Sequence, residues 1–349
     1  MHLFDDRFQD LTGWSPAEFD GLYEDVKDVL LMARDMDQEY TPEENAQRRQ
    51  RAFKYDPRER LFAFLMHVLS CEPLRKFAAK WHLGHTACWA DFKWLRHKLA
   101  AHPRLKLEVQ WPDAEERAAT RALVVEAGVV PEAMEMAVGL GDGTKDPAEK
   151  PGNSDELRLN YSGNKGHGKT HMLVTDVFGK PISTEGGLSG RQNDRGLWNA
   201  TDIYTHPQNY LAGEETLLMD GIFQGELHCQ TTRGAIIPAG KKEIAAAAPA
   251  ERLALKLHNR KQRSLRAPIE QTNGMIKRHK IVGAHAYRGD IVEQGINWVL
   301  CTQLTARLMR VRNAYPRGEK WLRGELEQWE RDLGEALYVD ADAPELYEI

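Results

Sequence analysis

The chain has 349 residues, 42% of them hydrophobic and 28% charged, with a formal net charge of −5. Such a length suits two domains, or one large domain with additions, and the composition permits a real core. The acidic balance argues against a simple nucleic-acid coat, so where the cations lie matters more than their sum.

In chain order, the opening MHLFDDRFQD is acidic and mixed, without the basic start and apolar run of a signal peptide. Over Pro16–Arg34 the apolar residues Phe19, Leu22, Tyr23, Val26, Val29 and Leu30 recur at helical spacing. Ser15 with Glu18 forms a capping box and Pro16 takes the first helical position. A polar segment, Asp35–Arg60, precedes an apolar, helix-compatible run at Leu61–Leu69. Glu72–Leu99 splits into two amphipathic pieces around Leu83-Gly84-His85. That is the outline of a helix-turn-helix, whose second helix would enter the major groove through His85, Thr86, Trp89 and Lys93. The competing reading is a pair of packed helices with no DNA role. Residues 1–110 are thus expected to form a helical DNA-binding domain. Residues 111–134 would be a connector with one helix at Asp113–Glu126, bracketed by Pro112 and Pro131.

From residue 135 to 315 the pattern becomes mixed α/β. Met136–Leu140 reads as a short strand that delivers Asp142 to a loop at its end. His171–Thr175 and Pro181–Thr184 form a hairpin around Gly179. A helix follows at Gly196–Tyr204, then a strand at Thr216–Met219 ending at Asp220, and a further strand at Ile236-Ile237-Pro238. Helices are expected at Ala245–Leu257, Ala267–Ile281 and Ile291–Leu308, with a charged tail over 316–349. The order predicts a mixed sheet with helices packed on it.

Gly163-Asn164-Lys165-Gly166-His167-Gly168-Lys169-Thr170 satisfies the phosphate-loop pattern G-x-x-x-x-G-K-T. That chemistry needs a strand before the loop and a helix after it. Here a turn follows too soon for a helix, so the segment reads as a flexible basic stretch near a phosphate backbone. An ATPase would require Lys169 at a helix start.

Asp142 and Asp220 each stand just beyond a short apolar strand, so neighbouring strands would bring both to one sheet edge. Glu270 lies on a helix with Pro268 in its first turn, and Arg263, Arg266, Asn273 and Lys277 share its face. Between Arg252 and Arg288 Glu270 is the only acid among ten Lys and Arg residues. An acid within a basic stripe makes sense when the acid holds a cation and the stripe tracks phosphates. Three carboxylates suit two Mg²⁺ or Mn²⁺ ions and phosphodiester cleavage. Taken singly, Asp142-Gly143 and Asp220-Gly221 also read as turns, and Glu270 as a partner of Arg266.

These residues resemble the Harbinger-type DDE transposases, also called DDE superfamily endonucleases. The matching pieces are Gly141-Asp142-Gly143-Thr144, Tyr161–Gly166, Asp176–Gly179, Gly187–Asp194, Leu217–Asp220 and Arg266–Gly274. The resemblance covers about Met136–Arg312 and extends to the N-terminal helices. It implies a ribonuclease-H-like domain in which Asp142, Asp220 and Glu270 bind the metals and Asp194 supports the site. The chain departs from the family pattern at Asn193-Asp194-Arg195, Gly221-Ile222-Phe223 and Asn273.

The expected activity is metal-dependent cleavage and strand transfer at transposon ends, with Lys165, Lys169, Arg263, Arg266, Lys277, His85, Thr86 and Lys93 contacting DNA. Expected partners are DNA, a second copy of the chain and a second DNA-binding protein. The alternatives are a transposase-derived DNA-binding protein that does not cut, and a nuclease of the same fold unconnected with transposition. Cys71, Cys88, Cys229 and Cys301 form no C-x-x-C pair, and no run of 18 apolar residues occurs, so no zinc site, disulfide framework or membrane span is expected. An intracellular protein is expected, nuclear in a eukaryote.

Overall fold

The computed structural model describes residues 5–32, 56–128, 134–150, 160–162, 166–191, 193–220, 235–283 and 291–317, with single positions 43, 155 and 158. Its N-terminal part is helical. After α1 (Asp5–Thr12), α2 (Pro16–Leu31) opens with the expected box: Ser15 Oγ accepts from Glu18 N–H, and the Glu18 carboxylate accepts from Ser15 N–H at 2.7 Å. The next helix, α3 (Pro57–Ser70), begins inside the stretch read from sequence as polar, because Asp56 caps it by accepting from the Arg58 and Glu59 amides. Then come α4 (Leu74–Lys80), α5 (His85–Ala100), α6 (Pro103–Lys106) and α7 (Ala114–Glu126), the last capped by Asp113. Arg60 pins three of them together. It forms a buried ion pair with Asp91 of α5 and donates to the carbonyl of Leu30 in α2 at 2.9 Å.

The sheet contains β1 (Ala137–Pro147), β2 (Tyr161–Ser162), β3 (Gly166–Thr175), β4 (Pro181–Ser189), β5 (Thr216–Leu218) and β6 (Ala235–Ile236). β1 pairs antiparallel with β3, which pairs antiparallel with β4 and, at its start, with β2. On its other side β1 pairs parallel with β5, and β5 with β6. The sheet is therefore mixed, as expected, with β1 inside it.

Several expectations are corrected. First, β1 does not end before Asp142 but runs 11 residues through it, with Asp142 opposite Leu173. Its glycines mark close approach rather than a turn: a Cβ on Gly143 would stand 2.6 Å from Asp194 Oδ1. Second, Gly166–Thr170 is not a flexible segment. Lys169 lies within β3, paired with Asp146 and Ser189, so no helix begins there and the ATPase reading lacks its phosphate cradle. Third, the helix expected at Gly196–Tyr204 is two, α8 (Asp194–Asn199) and α9 (Asp202–Thr205), because Thr201 Oγ1 accepts from Tyr204 N–H and starts a new turn.

After α10 (Lys241–Ala246), the two helices expected around 245–281 are one of 28 residues, α11 (Pro249–Ile276). Pro268 lies in its interior, not in a first turn. A proline there leaves the carbonyl four residues back without a donor. That carbonyl, on Ser264, accepts instead from the guanidinium of Arg317. Pro268 and Pro316 also pack on Gly179 in the β3–β4 turn, and Thr272 Oγ1 donates to the Gly179 carbonyl at 2.7 Å. The chain continues through α12 (Lys280–Gly283) and α13 (Ile291–Arg312).

Leu140, Leu173 and Leu218 on one sheet face join Leu265, Ile269 and Ile276 of α11 and Trp298 and Leu304 of α13 in one apolar core. The same core continues into Trp14, Phe64 and Phe92 of the N-terminal helices. The opposite face packs Val138, Met172, Val174 and Met219 against Leu197, Trp198 and Ile203. Among the described residues no helix is long and apolar enough to cross a membrane.

Candidate active site

β1 is the organising element. Its residue Leu140 pairs with Leu218 of β5. Two residues beyond that pair stand Asp142 and Asp220, and the Arg266 guanidinium lies near both. Asp142 is half-buried and Asp220 exposed. Glu270 is exposed on α11, and Asp194 is the first residue of α8, packed over Gly143.

Asp142 senses all three acids. Burial pushes its carboxyl up to about 6, against the opposing pull of Arg266, and the charges of Asp194, Glu270 and Asp220 push it further in the same direction. The four carboxylates therefore share one electrostatic neighbourhood.

Arg266 lies elsewhere than the sequence implied. It was expected to face DNA, but it is buried with its guanidinium turned inward. Nη2 donates to Asp142 Oδ1 at 3.2 Å, and Nη1 stands 3.9 Å from Asp220 Oδ1. Asn273, one turn beyond Glu270, donates from Nδ2 to Asp142 Oδ2 at 2.9 Å. Sequence spacing put both residues on one face with Glu270. It gave no sign that their partner is Asp142.

Of the other expected DNA contacts, Arg263 is exposed on α11 and Lys277 is half-buried at its end. Burial pushes the Asp146 carboxyl well up, with Lys277 opposing, and burial followed by Lys277 pushes the His171 imidazole down. Lys169 is half-buried in β3, and Lys165 lies outside the described residues. His85, Thr86 and Trp89 are exposed along α5. Lys93 is not a free cation: it pairs with Glu293 of α13 at 3.1 Å and lies over the Trp89 ring at 5.5 Å. Arg96 and His97 converge on the same carboxylate at 3.4 and 2.9 Å, a cluster the sequence reading missed.

The candidate site offers carboxylate oxygens, the donors that hard divalent cations take. Two buried atoms beside Asp142, Asn273 Oδ1 and Arg266 Nε, have no hydrogen-bond partner among the described residues. Asn273 Oδ1 is thus an acceptor available to a water carried in by such an ion. The donor chemistry and the concentrated negative charge fit a divalent cation. As the side chains stand, no group of three or more His, Cys, Asp or Glu among the described residues is placed to hold one. Arg266 bridges Asp142 and Asp220 instead.

No curated protein and no solved structure matches the chain. Residues 141–303 match a family model, that of the DDE superfamily endonucleases. The matched stretch runs from the residue before Asp142 into α13, and so takes in Asp142, Asp194, Asp220, Arg266, Glu270 and Asn273. The part of the chain that bears the acidic pocket is similar to a family of endonucleases.

Proposed function

We propose that this chain is a metal-dependent DNA endonuclease of the transposase type, with Asp142, Asp220 and Glu270 as its metal-holding acids and Asp194 in support. The observation that carries this reading is geometric: the pairing of Leu140 with Leu218 sets Asp142 and Asp220 at neighbouring positions, and the one guanidinium of Arg266 reaches both carboxylates. Acids gathered around the inner strand of a mixed sheet are costly to stability and useful for binding cations. The family match over 141–303 favours the same chemistry. The ordered motifs narrow it to the Harbinger type and a ribonuclease-H-like domain.

A pair of Mg²⁺ or Mn²⁺ ions bound at these acids supplies the Lewis acidity that phosphodiester cleavage and strand transfer require. The chain's own groups do the rest. Asn273 holds one Asp142 oxygen in a fixed direction. Arg263, exposed on the same helix as Glu270, presents a cation to the DNA backbone, and Lys165, Lys169 and Lys277 extend that role. His85, Thr86 and Trp89 form the exposed face of α5 that reads the duplex, with residues 1–110 as the DNA-holding part and 135–315 as the cutting part.

The test is a nicking assay on supercoiled DNA with Mg²⁺ or Mn²⁺. Wild type nicks, and Asp142→Ala, Asp220→Ala and Glu270→Ala each lose the activity by at least about two orders of magnitude, as expected when charge stabilisation at the reacting centre is removed. DNA binding without cleavage by any preparation would leave only the non-cutting alternative.

A further inference from the structure

We infer that Arg266 is a built-in counter-cation for the acidic pocket, which holds Asp142 and Asp220 together in the metal-free chain and competes with the divalent ion for them. The inference rests on the reading of these acids as metal ligands.

The geometry points to it from three sides. The guanidinium is buried, so its charge is not dissipated in solvent, and its terminal nitrogens reach inward, to Asp142 at 3.2 Å and toward Asp220 at 3.9 Å. Its Nε is buried without a partner among the described residues, so this pose leaves one charged donor unsatisfied. Asn273 already holds Asp142 through the other carboxylate oxygen at 2.9 Å, so Asp142 keeps its orientation when the Arg266 contact is given up. A monovalent cation and a divalent one cannot both sit against the same two oxygens, because their repulsion at such range is strong in a partly buried site. Entry of the ion therefore turns Arg266 away, and loss of the ion lets it return. Arg266 is a positioning residue in this scheme. It carries no step of the chemistry.

The experiment is a titration of Mn²⁺ alone, followed by calorimetry and by the electron paramagnetic resonance of free Mn²⁺, on wild-type full-length chain, Arg266→Gln and Arg266→Lys, with thermal melts in chelator and in Mn²⁺. Arg266→Gln is expected to bind Mn²⁺ roughly tenfold tighter or more, the scale on which a neighbouring cation alters a carboxylate's proton affinity. It should also melt lower than wild type in chelator and gain more from Mn²⁺. Arg266→Lys should fall between. Mn²⁺ affinity in Arg266→Gln equal to or weaker than wild type would overturn the inference while leaving the metal site intact. Wild type that binds no Mn²⁺ would instead overturn the proposed function. Should Arg266→Gln fail to fold in chelator, recovery of its melt by Mn²⁺ supports the inference, and failure to recover in either medium counts against it, with Arg266→Lys deciding the affinity.

Discussion

At the scale of single residues, the molecule places charge in its interior in two different ways. Arg60 and Asp91 are both almost wholly buried and bonded to each other, so each is satisfied. Removing one partner leaves the other charge stranded, and Asp91→Ala is expected to lower unfolding free energy by about 3–5 kcal/mol in a urea titration. A loss below about 1 kcal/mol would mean that water reaches Arg60 freely. His67 is buried without charge. It packs between the rings of Phe77 and Phe92, at 5.5 and 5.3 Å, and burial, followed by the nearby Arg96, lowers its pKa to about 4. A histidine whose folded pKa lies below its unfolded value lends stability that is fully present above pH 6.5 and lost as pH falls toward 4. Across that window wild type should lose up to about 1.4 kcal/mol per pH unit more than His67→Leu. Parallel pH profiles of the two chains would refute the assignment. The sequence showed which residues could carry chemistry, because Asp142, Asp220 and Glu270 stand out by type and neighbours. It did not show Arg266 turned toward Asp142, since periodicity tells which residues share a helix face and is silent on what lies opposite that face.

At the scale of elements, sequence reading succeeded where caps and turns are local and failed where tertiary contacts override a local signal. Ser15 marks its helix by side-chain chemistry alone. Asp142-Gly143 looks like a turn, yet continues as strand because Asp194 fills the space that a side chain at 143 would take. Pro268 looks like a helix start, yet sits deep in α11 because Arg317, 53 residues beyond Ser264 in the chain, supplies the missing donor to the Ser264 carbonyl. That long-range substitution predicts a cost for Arg317→Met of about 1–3 kcal/mol, the penalty for a polar group left unsatisfied. Pairing it with Pro268→Ala, which restores the helix's own amide donor, should recover most of the loss. A double variant no more stable than Arg317→Met would show that the guanidinium acts through some other contact.

At the scale of the whole molecule, one apolar core draws on both sides of the connector expected at residues 111–134. Trp14, Phe64 and Phe92 belong to one continuous cluster with Leu140, Leu173 and Trp298. Far-ultraviolet and near-ultraviolet circular dichroism should accordingly report a single unfolding transition. Two separated midpoints would restore the notion of independent halves. Composition and length could not reveal this, because they count apolar residues without saying which of them meet. The knot of Lys93, Arg96 and His97 around Glu293 has a practical corollary. It bolts α5 to α13, a rod that itself lies against β3 and β4. A duplex gripped along the open side of α5 would hang from the same rigid frame as the acids, not from a tether. The span between grip and incision is then a fixed ruler, and the nick should fall at one constant offset from the bound sequence.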